Sequence, residues 1–259
     1  MRIEAMTAGQ AATDEARFYF KLAVAMALTV VAAFSIQFAF GRSSFSAPPV
    51  VHAHAVVFMG WVGIYVLQNW LVASGRVALH RRVGWLAVAW VGLMIWLGLA
   101  VTISITQRGA VPFFFLPQHF LIANPIGLLG FVGLTSAAVV LRRTTDWHRR
   151  LHLCAMALLM GPSTGRLLPM PLLTPYAFEI AGLVGLVFPL VAVWREARLG
   201  AIHPAWRWGL PVTPIMLLLA LWLGHSPFGA AVYEWTTAGT PGAAVLPLDY
   251  GLPPELSPK

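Results

Sequence analysis

The sequence predicts an all-α fold: an integral membrane helical bundle of about seven transmembrane helices, with a cytoplasmic amino terminus and a periplasmic carboxyl terminus. Three observations carry this prediction: an apolar composition, a succession of long apolar stretches, and an uneven distribution of Lys and Arg.

Of the 259 residues, 59% are hydrophobic and 10% charged, with a mean hydropathy of +0.76. A soluble domain carries about 25% charged residues, so this chain has too little polar surface for a water-facing globule. A formal charge of +8 would suggest nucleic acid in a soluble protein. Here the Arg residues fall between apolar stretches, which points to the headgroups of a lipid bilayer and away from nucleic acid. The lone Cys154 has no partner for an internal disulfide.

A bilayer core about 30 Å thick needs roughly 20 helical residues, each rising ~1.5 Å. Seven stretches meet or approach that length, at about 22–40, 50–73, 83–106, 117–141, 151–166, 175–194 and 209–225. Backbone groups in lipid must be satisfied within the segment, so each is expected to be helical. The fifth is the weakest, because Gly161-Pro162 interrupts it and Pro169 and Pro171 follow. It is the only interruption the sequence shows, and that disfavours a transporter built on paired broken helices. The first stretch is too long for a signal peptide and ends without a small-residue cleavage site. Residues 1–225 thus form the bundle, with core spans two to five at about 50–166. Residues 226–259 form a Pro/Gly-rich tail, read as an irregular periplasmic extension that could dock on a larger membrane complex.

With the amino terminus inside, the inner segments hold 13 of the 17 basic residues, including Arg76, Arg81, Arg82, Arg142, Arg143, Arg149, Arg150, Arg195, Arg198 and Arg207. Arg42, Arg108, Arg166 and Lys259 fall outside. The positive-inside rule then sets the orientation in a bacterial-type inner membrane. Trp70, Trp85, Trp147, Trp206 and Trp208 lie near span ends, where indole rings anchor at headgroups.

No paired intramembrane carboxylates, phosphate-binding loop or Cys-based metal motif is present, and no span carries a Lys for a retinal Schiff base. The chemistry therefore falls to eight histidines, which sort by depth. His52, His54, His119 and His225 lie toward the outer ends of spans, and His80, His148, His152 and His203 toward the inner ends. His52 and His54 project about 200° apart on a helix and do not share an ion there. His54 heads a stripe with Phe58, Trp61, Tyr65 and Gln68, suited either to a flat apolar cofactor or to ordinary packing. Counting from His148 places Arg166 about 27 Å away, near the outer surface, where it could pair with a haem propionate or with Glu179.

The order of these histidines, and the stretch His54-Ala-Val-Val-Phe-Met-Gly60, resemble the transmembrane two-haem b-type cytochromes of the ascorbate and ferric-reductase type over about residues 50–165. The resemblance implies one or two b haems: His54 with His119 for an outer haem, and His80 with His152 for an inner one. It leaves His52, His148 and Arg166 as lesser candidates, and implies electron transfer between a small donor or quinone and an acceptor. The run His80-Arg81-Arg82-Val83-Gly84 is also similar to one in uncharacterised bacterial multi-span membrane proteins. Two other functions stay open. One is a membrane enzyme with a non-haem copper, iron or zinc site drawn from His54, His119, His52, His225 and Glu179, since imidazole suits all three metals. The other is a non-catalytic subunit of a respiratory or photosynthetic complex.

Overall fold

The computed structural model describes residues 2–42 and 45–251; Lys259 and the end of the tail lie outside the described residues. Among the described residues all regular structure is helical. Six helical segments are long and apolar enough to cross a bilayer: Ala12–Ala39, Pro49–Ala73, Val77–Gln107, Pro117–Val140, Ala177–Arg198 and Ala205–Gly224. The chain is a multi-pass membrane protein. It divides into two units, Met1–Leu97 and Gly98–Lys259.

The first unit holds α1 (Arg2–Ala39), α2 (Pro49–Ala73) and the beginning of α3 (Val77–Gln107). Pro49 opens α2 at a position whose N–H has no helical partner anyway. Gly75, at φ +75°, makes the left-handed turn into α3. The Trp90 indole of α3 lies across α2 and donates to the Val57 carbonyl at 2.9 Å. Gly60 makes room, since a Cβ there would meet Trp90 Cζ2 at 2.6 Å. Trp61 and Tyr65, the middle of the stripe headed by His54, are buried, and α2 packs along α1.

The second unit is built around α4 (Pro117–Val140), much of it buried. It is followed by α5 (Thr145–Leu158), α6 (Gly161–Leu167), α7 (Ala177–Val184), α8 (Val187–Arg198), α9 (Ala205–Gly209), α10 (Val212–Gly224) and α11 (Pro227–Thr237). Side-chain contacts at the two ends of α4 fix the directions. At its carboxyl end, His148 of α5 donates from Nδ1 to Ala138 O at 2.8 Å. At its amino end, Met170, just past α6, packs with Phe114 and Phe115. The pair α5–α6 therefore runs back along α4. The pair α7–α8 starts beside His119 and ends beside Arg150, and α9–α10 returns to His119.

The expected span at 151–166 is not one uninterrupted helix: it breaks at Leu159 and Met160. Pro162 has no N–H to give the previous turn. The chain tightens instead into i→i+3 bonds, from Leu159 to Met156 O and from Met160 to Ala157 O, both 3.1 Å. The expectation of a single interruption is also corrected, because α7 and α8 part at Gly185 and Leu186. The two interruptions touch. A Cβ on Gly185 would run into the Ala157 carbonyl and stand 3.1 Å from Met160 Cβ, so only glycine lets the backbones meet. The tail departs from the irregular extension expected of it. Ser226 caps α11 by accepting from the Gly229 N–H at 3.2 Å, Pro227 opens the helix, and α11 packs on α4 and α10.

The end of this unit where α4 finishes and α5 begins is closed by a buried carboxylate. Glu196 of α8, 6% exposed, accepts from Arg150 Nε and Nη2 at 2.8 Å each on Oε1. Its Oε2 accepts from the His203 N–H at 2.9 Å and the Trp206 indole at 2.8 Å. Arg150 also donates to Asp146 O at 2.8 Å, and Arg149 pairs with the Asp146 carboxylate. Arg150 and Trp206 therefore serve as internal braces, although the sequence reading gave both to the headgroups.

Breaking such a pair leaves a buried charge uncompensated. Glu196→Gln is expected to lower the stability of the detergent-solubilised protein by on the order of 3 kcal/mol, and adding Arg150→Met should restore most of it. Gly185→Ala, aimed at a carbonyl with no freedom to rotate away, should cost about 1–3 kcal/mol or more. Thermal unfolding of the purified variants measures all three.

Candidate functional site

The end of the second unit opposite the Arg150–Glu196 pair brings together His119, Glu179 and His225. His119, third residue of α4, is 5% exposed. Gly224 of α10 presses against its ring, and a Cβ there would stand 2.8 Å from His119 Cδ2. Nε2 of His119 faces Glu179 Oε1 at 3.3 Å. Glu179 sits in the first turn of α7, where the helix dipole favours a carboxylate. Phe178 flanks the imidazole with ring centroids 5.3 Å apart, and His225 lies on another side at 5.5 Å. His225 contacts the Leu221 carbonyl through Nδ1 at 2.8 Å. A carbonyl only accepts, so Nδ1 carries the proton and Nε2 is left as the accepting nitrogen.

Gln118 completes this end. It is 1% exposed, and Nε2 donates to Gly224 O at 2.8 Å and Ser226 O at 3.4 Å. Its backbone N–H, unmatched inside the first turn of α4, donates to Pro247 O at 2.9 Å, so the tail seals the helix start. Burial, and after it the Glu179 carboxylate, hold the Tyr250 phenol above its usual range. Of the residues expected in a non-haem site, His119, Glu179 and His225 come together here; His52 and His54 belong to the other unit.

The remaining candidates have local partners. His52 donates from Nε2 to Phe45 O at 3.2 Å, and His54 stacks on Phe58 at 4.1 Å. The Gln68 amide reaches across to α3, donating to His80 O at 3.2 Å and His80 Nδ1 at 2.5 Å, and accepting from the Gly84 N–H at 2.9 Å. The run from His80 to Gly84 thus has a structural role, as a seat for Gln68. In this arrangement His80 Nδ1 accepts, which puts the proton on Nε2, the nitrogen an inner haem would need. His148 and His152, one turn apart on α5, meet edge to face at 4.7 Å. Arg166 donates to Pro162 O at 2.8 Å. The count of residues from His148 to Arg166 runs through the break between α5 and α6.

These contacts bear on what the residues can hold. A porphyrin needs an open face before the ligating nitrogen. His119 Nε2 instead faces Glu179, with Gly224 and Phe178 against the ring, and this arrangement does not fit an axial haem ligand. Among the described residues, no three His, Cys, Asp or Glu side chains stand ready to enclose a metal ion. His119 and Glu179 nevertheless have a suitable spacing. Two ligands at ~2.0–2.1 Å from a tetrahedral zinc stand about 3.3 Å apart. Comparison of the chain with protein-family models, curated proteins and solved structures found no match.

Gln118, Gly224 and Tyr250 were not anticipated from sequence. Gln118 left one signal, an amide beside a histidine in the first turn of an apolar span. The Arg150–Glu196 pair left none, because its partners lie 46 residues apart in the chain.

The Arg150–Glu196 end gives a pH dependence whose sign follows from two groups outside the spans. Burial, and then Arg150, push the His203 imidazole below its usual value, with Asp146 and Glu196 opposing. Burial would raise Asp146, but Arg149 and Arg150 outweigh it and hold the carboxyl low. In both cases the unfolded chain binds the proton more readily. Their contributions are present above the ordinary values and lost as pH falls through the lowered ones. The thermal midpoint should therefore decline in two stages on acidification, first below about 6.5 and again below about 4. His203→Gln should diminish the first stage and Asp146→Asn the second. An unchanged profile in both variants contradicts the assignment.

Proposed function

We propose that this chain is a seven-crossing membrane protein, amino terminus in the cytoplasm and tail outside, whose chemistry resides in a non-haem metal site at His119, Glu179 and His225. The observation that carries the metal reading is the buried His119 Nε2 facing Glu179 at 3.3 Å, the ligand spacing of a tetrahedral ion. A metal would be held by His119 Nε2 and one Glu179 oxygen. His225, exposed and already tautomerised with Nε2 accepting, closes a third corner by a change of rotamer. Mixed imidazole and carboxylate ligation suits copper, iron or zinc. Three protein ligands leave a fourth position for a substrate arriving from the outer face.

Two features support the crossing number. The α5–α6 pair runs the length of α4 in the opposite direction, so if α4 crosses, the kinked pair crosses back. The basic side chains Arg142, Arg143, Arg195 and Arg198 lie at one end of this unit, and Arg108 and Arg166 in the segments of the other.

A b-type haem for electron transfer is the second reading. One observation favours it: His148 donates Nδ1–H to Ala138 O, the outer-sphere bond that orients an axial imidazole and leaves Nε2 for iron. Bound haem would supply one-electron chemistry.

Metal analysis after incubation with zinc or copper should find about one equivalent in the purified protein. Affinity should fall by roughly 100-fold or more in His119→Ala and Glu179→Gln. A metal-free protein with a reduced α-band and a positive pyridine haemochrome would reject the first reading in favour of the second. For topology, an impermeant maleimide on intact spheroplasts should label Thr174→Cys and spare Arg143→Cys. Labelling of both or neither argues against the α5–α6 crossing.

A further inference from the structure

We infer that the exposed face of α7–α8 is a binding site for one anionic phospholipid, with its phosphate held by Arg195 and Arg198 and its acyl chains along the groove above them. The inference rests on α7–α8 crossing the bilayer and is independent of the chemistry at His119. Leu183, Val184, Val187, Leu190, Val191 and Trp194 line a shallow apolar groove on the second unit. They recur every three or four residues, so they form one stripe down one side of the helix pair. All are open to the surroundings, with Val187 50%, Leu190 51% and Trp194 59% exposed.

An apolar stripe alone is what any lipid-facing helix shows. Two further observations select an occupant. The stripe runs from Leu183 to Trp194, 12 residues and so about 16 Å at ~1.5 Å per rise, and one leaflet of hydrocarbon is about 15 Å thick. It ends where charge begins. Trp194 closes the groove, the Arg198 guanidinium lies 5.0 Å from its ring, and Arg195 stands in the same last turn of α8. Acyl chains that fill the stripe bring a phosphate to the level of these guanidinium groups, whose planar donors suit phosphate oxygens.

A second copy of the chain is the competing occupant, because the stripe has the spacing of a helix-packing seam. In a membrane the two copies share one orientation. A symmetric contact along this stripe would set Arg198 beside Arg198 and Arg195 beside Arg195, which like charges oppose. The same charges attract a phosphate.

The test is native mass spectrometry of the whole chain after exchange into vesicles of equimolar phosphatidylglycerol and phosphatidylcholine. The wild-type protein should retain phosphatidylglycerol over phosphatidylcholine. The double variant Arg195→Gln/Arg198→Gln should lose that preference by roughly 10- to 30-fold, given the worth of a basic residue at an anionic surface. Val187→Trp, which fills the groove without changing charge, should release the lipid. Arg142→Gln/Arg143→Gln, with the same loss of charge on another loop, should retain it. Equal retention of both lipids by the wild type overturns the site. So does an equal loss in the Arg142/Arg143 variant, which reports general surface charge. Disulfide-linked dimers of Val187→Cys would show the stripe covered by a second copy and overturn it as well.

Discussion

Glu196 sits where four donors need an acceptor and water is excluded. Arg150 brings two N–H groups from α5, the chain before α9 brings the His203 amide, and α9 brings the Trp206 indole. A carboxylate is a natural common acceptor for such a set, and a guanidinium as deeply buried as Arg150 requires an anion beside it. The ion pair thus fixes which ends of α5, α8 and α9 meet. That alignment sets where the same helix pairs finish, and so brings Glu179 and His225 to His119 at the far end. The order of dependence runs from the brace at one end of the unit to the site at the other.

Much of the fold was legible because a bilayer reduces the problem to length and polarity. The stretches at 50–73, 83–106 and 117–141 match α2, α3 and α4 to within a few residues, apart from the polar first turns of α3. The 151–166 stretch was less legible. Its first turns carry His148, Arg149, Arg150 and His152, which lower its hydropathy, and Pro162 shows that a break exists without showing where the freed backbone groups turn. The gap between α7 and α8 at Gly185-Leu186 had a proline signal of the same kind, since Pro189 has no N–H to give the Gly185 carbonyl, but one proline inside a long apolar stretch does not show from sequence whether the helix bends or breaks.

The site was legible in composition and illegible in arrangement. Depth sorting placed His119, Glu179 and His225 at the same level, and that much follows from counting along helices. Which histidines share a helix-to-helix contact depends on rotation about each axis, set by Gly224 against His119 and by Gln118 reaching the end of α10. Tautomers lie further still from sequence. His225 and His148 each yield the Nδ1 proton to a backbone carbonyl, whereas the Gln68 amide gives His80 the opposite form. One residue type at one depth therefore supports two chemistries, and the acceptor beside the ring decides between them.

The bond from the Gln118 amide to Pro247 has a consequence for biosynthesis. The helix that begins at Pro117 is translated well before its sealing residue, with 129 positions separating Gln118 from Pro247. At roughly 5–20 residues per second, the ribosome needs on the order of ten seconds to cover that distance. Throughout that interval the start of α4 lacks its seal, and the end that holds His119 is without the tail that later packs on it. Any ion or small ligand destined for this end has its easiest entry during that window, before the last turn of chain folds over the mouth.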